Sequence, residues 1–113
     1  MKIKLFLFLT FLLITSCNNN KVFKIISPVN SGVEFRNDVK ETQSLNILDY
    51  LYFYNGGGVS IGDIDNDGFV DIFLTSNQGP NKLYKNLGNL KFVDVSVSAG
   101  ITGNSSWSTG SNM

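Results

Sequence analysis

Nine consecutive positions, Asp63-Ile-Asp65-Asn-Asp67-Gly68-Phe69-Val-Asp71, hold four of the chain's seven aspartates. Carboxylates this close repel one another, and unneutralised they would destabilise any tight bend. A hard divalent cation removes the repulsion, and Ca2+ accepts roughly six to eight oxygens at irregular geometry. Asp63, Asp65 and Asp67 occupy alternate positions and point inward as the chain wraps. Gly68 permits the sharp turn, Phe69 offers its backbone carbonyl, and Asp71 closes the site. Ile64 and Phe69 project away as apolar anchors. Mg2+ tolerates crowded protein ligands poorly and fits less well. An EF-hand is excluded, because the twelfth position from Asp63 is Leu74 rather than a bidentate Glu. A solvated acidic turn without metal is the competing reading.

The flanks of this loop are β runs, not helices. Val59-Ser-Ile61 precedes it, and the β-branched and aromatic run Val70–Thr75 follows. Asn77-Gln-Gly-Pro-Asn81 is a turn cluster. Lys82–Leu87 is the next strand, Gly88-Asn89 a two-residue hairpin turn, and Leu90–Ser96 the closing strand. Four consecutive antiparallel strands in about forty residues have the size of one β-propeller blade. With 11 glycines, 14 asparagines and a single alanine, the composition also favours strands and turns over helices. Upstream, Lys21–Ile26 and Val33–Phe35 are expected as strands, with a turn over Pro28–Gly32. Leu45–Tyr54 is dense in aromatics, and is expected to pack rather than bind a ligand.

What is missing excludes several chemistries. The chain has no histidine, so it has no Ser-His-Asp or Cys-His triad and no HExxH zinc site. One cysteine excludes an internal disulfide framework and a cysteine-rich zinc site. Nine basic side chains against nine acidic ones give no field for nucleic acid.

Residues 1–16 read as a leader. Met1-Lys-Ile-Lys4 is positive, and Leu5–Ile14 is apolar except for Thr10. Ten helical residues reach about 15 Å, half a bilayer core, and the proportions are those of a secretory signal. The junction Ile14-Thr-Ser-Cys17 resembles the bacterial lipoprotein lipobox. That resemblance implies cleavage before Cys17, acyl chains on Cys17, and residues 17–22 as a polar tether to a membrane.

An internal repeat is visible. Gly110-Ser-Asn-Met113 follows Trp107-Ser-Thr109 and lies 52 residues after Gly58-Val-Ser-Ile61. Residues 23–113 are expected to form one propeller fragment, with a whole repeat at about 56–100 and the start of another at 107–113. The chain is read as a piece of a longer protein.

The stretch from Gly56 to Thr75, then Asn81–Asn86 and Phe92–Ser96, resembles an FG-GAP/VCBS-type repeat. Asn55-Gly-Gly-Gly58, Ala99-Gly100 and Trp107-Ser-Thr-Gly110 are similar to the cartilage acidic protein 1 (ASPIC/UnbV) group. The resemblance implies an all-β fold: blades of four antiparallel strands with a calcium-binding loop, here an incomplete propeller. It places Ca2+ on Asp63, Asp65, Asp67 and Asp71, with Phe69 through its carbonyl. It also implies a surface lipoprotein, at the outer membrane or cell surface of a Gram-negative bacterium.

Other motifs are weaker. Gly58-Val-Ser60-Ile-Gly62 spells GxSxG, but a nucleophile elbow needs a following helix and a histidine. Asp63 and Asp65 make poor acid catalysts if an ion holds them deprotonated. Asn104-Ser-Ser106 matches a glycosylation sequon. Lys82 and Lys85 are expected as solvated edge charges. The functional reading is a non-catalytic, calcium-binding, envelope-anchored module that binds a protein or glycan. The alternative is the non-catalytic portion of a larger extracytoplasmic enzyme, such as a polysaccharide-degrading one.

Overall fold

Strand β1 (Val59–Gly62) pairs antiparallel with β2 (Asp71–Leu74), β2 with β3 (Lys82–Asn86), and β3 with β4 (Phe92–Asp94). These four strands form one open sheet in the order β1-β2-β3-β4. The computed structural model in which they lie describes residues 22–101 and 107–113. The leader, Cys17, most of the tether and the Asn104 sequon therefore lie outside the described residues.

The expected four-stranded unit is present, with shorter strands. Hydrogen bonding continues beyond the strand ends, from Thr75 N–H to Gly58 O at 3.0 Å and from Val95 N–H to Leu83 O at 2.9 Å. The last hairpin departs from expectation. Its central residues are Asn89 and Leu90, at φ +52° and +57°, not Gly88 and Asn89. Lys91 N–H donates to Gly88 O at 3.0 Å, closing a turn with positive φ at both centres. Register is the reason. Asn86 lies opposite Phe92, which leaves an odd-numbered loop. Asn86 Oδ1 also accepts the Gly88 N–H at 2.9 Å, so the chain turns one residue later.

The segment before the sheet corrects three expectations. Residues 22–26 form no strand, and Val22, Phe23 and Ile25 are almost fully exposed. The turn expected at Pro28–Gly32 is one helical turn, α1 (Pro28–Ser31). Ser27 caps it by accepting the Asn30 N–H, Pro28 sits where a missing N–H does no harm, and Gly32 ends it in the left-handed region. Val33–Phe35 belongs to no ladder. Its contacts come from side chains instead: Tyr84 Oη donates to Glu34 O at 2.6 Å.

The same substitution of side chains for a ladder continues downstream. Gln78 accepts the Lys40 N–H at 2.7 Å and donates to Lys40 O at 2.9 Å. Asn37 Oδ1 accepts from Asn77 N–H at 2.9 Å and from Ser76 Oγ at 3.1 Å. Asn37 Nδ2 donates to Asn77 Oδ1 at 2.6 Å. Asn77 Nδ2 donates in turn to Gly56 O at 2.9 Å and Ser108 O at 3.1 Å. One buried asparagine thus ties together three separate segments. Satisfying both ends of its amide is what allows a polar side chain to be buried at all.

The aromatic stretch packs as expected at two of its rings. Phe53 is fully buried, 5.2 Å from the Trp107 ring and 5.0 Å from Tyr54. Tyr50 meets Trp107 edge-on at 5.8 Å. Beyond Trp107 the chain runs against β1: a Cβ on Gly58 would lie 2.7 Å from Ser111 N, so only glycine fits there. Among the described residues Phe53, Leu83 and Tyr84 are the buried hydrophobics, while Val59, Ile61, Ile64, Phe69 and Val93 on or near the sheet stay exposed. A sheet this open leaves apolar surface that larger assemblies of the same elements cover.

Candidate metal centre

The ladder itself begins the site. Gly62 pairs with Asp71, so the loop 63–70 leaves and re-enters the sheet at adjacent points. Within it Asn66 and Gly68 adopt φ +57° and +88°. Gly68 has no neighbour that a Cβ would strike, so it is needed for its dihedral, as expected of the sharp turn.

Carboxylates organise the loop. Asp63 accepts the Asp67 N–H at 3.1 Å on one oxygen and the Gly68 N–H at 2.9 Å on the other. Asp67 accepts the Phe69 N–H at 2.9 Å. Asp71, fully buried, accepts the Ile64 N–H at 3.0 Å and the Asn86 N–H at 2.7 Å. It therefore links the loop to both β2 and the end of β3.

Asp63, Asp65 and Asp71 each contribute a carboxylate oxygen to a group lying within 4.8 Å of one another. Calcium–oxygen bonds of about 2.4 Å put ligand oxygens up to roughly 4.8 Å apart across the ion, so one Ca2+ fits the donor set. Asp67 stands outside this trio, and its carboxylate faces the Phe69 N–H and Lys85 Nζ, the latter at 3.2 Å. Phe69 is held through its own N–H, and its ring packs over Gly88 in the last hairpin. Ile64 borders an apolar cavity of about 400 Å³ with Phe73, Leu83, Ile101 and Met113.

The two lysines differ from expectation, since neither is a free edge charge. Lys82 pairs with Asp94 at 2.6 Å. Lys85 pairs with both Asp65 and Asp67. The Phe69 N–H first, and then Lys85, lower the pKa of Asp67 below the usual carboxylate value. The hydrogen bonds that Lys85 donates to Asp65, and then to Asp67, raise its own pKa. Sequence spacing along β3 hints at none of this, because Lys85 reaches the loop only through the pairing of β2 with β3. Ser60 lies within β1, its Oγ buried with no hydrogen-bond partner among the described residues, and no helix follows it.

A four-stranded antiparallel unit with an acidic loop after its first strand defines a class of repeat. Residues 63–111 match the FG-GAP-like repeat family. It is similar to cartilage acidic protein 1 of Mus musculus, 48% identical over 46 residues, which are 41% of this chain and 7% of that protein. The Homo sapiens protein of the same name is 47% identical over 49 residues, 42% of this chain and 7% of that protein. The Xenopus tropicalis one is 43% identical over 49 residues, 42% of this chain and 8% of that protein. The chain thus matches only a small fraction of the length of these relatives. No solved structure matches it.

Proposed function

We propose that this chain is part of a calcium-stabilised β-propeller that binds a protein or glycan ligand and performs no catalysis. The observation that carries the reading is the trio Asp63, Asp65 and Asp71, converging at the mouth of an FG-GAP-like sheet. Bound there, Ca2+ draws the two ends of the 63–70 loop together and neutralises the acidic bend. It stabilises the folded chain in proportion to the logarithm of its concentration over Kd. Asp67 and the Phe69 carbonyl complete the ligand set. The exposed Tyr52 and Tyr54 rings offer aromatic surface to a ligand. Acyl chains on Cys17 anchor the protein to the cell envelope, at the outer membrane or cell surface.

The test is thermal unfolding of the full chain in chelator and in millimolar Ca2+. We expect a higher melting temperature with calcium, and an Asp65→Ala chain that loses most of the gain. An unchanged transition in the parent chain would sink the calcium reading. For the anchor, Cys17→Ser should move the protein from the membrane to the soluble fraction on cell fractionation; unchanged membrane association would refute it. The ligand class is checked by probing glycan and envelope-protein arrays with the calcium-loaded chain, and silence on both would count against a binding role.

A further inference from the structure

Lys85 sits where the proposed ion would draw its charge. The ammonium contacts Asp65, a member of the metal trio, and Asp67, which the trio lacks. An ammonium and a divalent ion on the same carboxylate lie within roughly 5 Å of each other and repel strongly. The two cations compete for the charge of one carboxylate. We infer that Lys85 is a built-in counter-ion which calcium must displace, so that the loop exchanges one cation for another. This rests on the calcium reading above and deepens it.

The geometry gives the exchange two consequences. The ammonium neutralises the outer carboxylates of the loop, Asp65 and Asp67. With the ion, departure of the ammonium releases Asp67 from its pair, and Asp67 becomes free to turn to the trio. The fifth position of the loop therefore enters the ligand set only after Lys85 leaves. Lys85 lowers calcium affinity and sets the concentration range over which the site fills.

Calorimetric titration of Ca2+ into the full chain reads this directly. Lys85→Met removes the charge and keeps the aliphatic stem, with Lys85→Gln as a second neutral variant. We expect both to bind calcium more tightly by about tenfold or more, since an adjacent positive charge has been taken away. Lys85→Arg keeps the charge and should stay within about threefold of the parent. Lys82→Met removes an equal charge at the Asp94 pair, away from the loop, and should leave affinity unchanged. Calcium binding in the parent with no gain in the neutral Lys85 variants overturns the exchange and leaves the calcium site standing. An equal gain in Lys82→Met also overturns it, as a net-charge effect. No calcium binding in any chain overturns the site itself.

Discussion

The sheet of residues 59–94 and the segment of residues 33–40 are held in different ways. In the sheet, backbone pairs with backbone through three antiparallel ladders. Along 33–40, side chains lent by the turn at Ser76–Gln78 replace the missing partner strand, and Tyr84 adds a further bond to Glu34 O. The difference is one of redundancy. A ladder spreads its energy over many equivalent bonds, whereas the clasp rests on a few unlike side chains, with the buried Asn77 at its centre.

The largest effect is expected where a single side chain also serves the sheet. Asp71→Ala would orphan the Ile64 and Asn86 N–H groups beside a fully buried position, costing about 4 kcal/mol. Urea denaturation should show the whole sheet destabilised; a loss under 1 kcal/mol would mean the ladders suffice alone. Asn77→Ala comes next, at about 3 kcal/mol, because it removes the acceptor of the Asn37 Nδ2–H and the donor to Gly56 O and Ser108 O. Here hydrogen exchange should quicken along 33–40 while β2 and β3 keep their protection. Equal quickening in both regions would erase the distinction drawn above.

The smallest effect concerns the Lys82–Asp94 pair within the ladder. Lys82 and the Ser96 hydroxyl depress the Asp94 pKa to about 2, against 3.8 ordinarily. A depressed carboxylate contributes stability that is complete above its unfolded pKa and disappears as pH falls through the folded one. Between about pH 4 and pH 2 the sheet should therefore lose stability, by less than about 1 kcal/mol for a pair this exposed. Lys82→Met should flatten that part of the pH profile, and an unaltered profile would assign the acid loss to other carboxylates.

Much of the sheet was legible because its signals are local. β-Branched and other apolar residues mark β1 and β2, and Gly68 marks the tight loop between them. The last hairpin was misplaced by one residue, since turn residues name a bend while strand register decides its centre. The segment 21–35 misled for a related reason. Apolar character at Phe23 and Ile25 suits a strand, but a strand exists only where a partner edge is available.

Sequence alone determined the acidic loop, its glycine and the strands beside it, because repulsion, dihedral freedom and side-chain alternation act over a few residues. Tertiary structure alone decided that Asp63, Asp65 and Asp71 converge while Asp67 turns to Lys85. It alone decided that Asn77 binds segments 40 residues before it and 31 residues after it. Such contacts depend on which strand edges meet in space, and no short-range pattern along the chain encodes that.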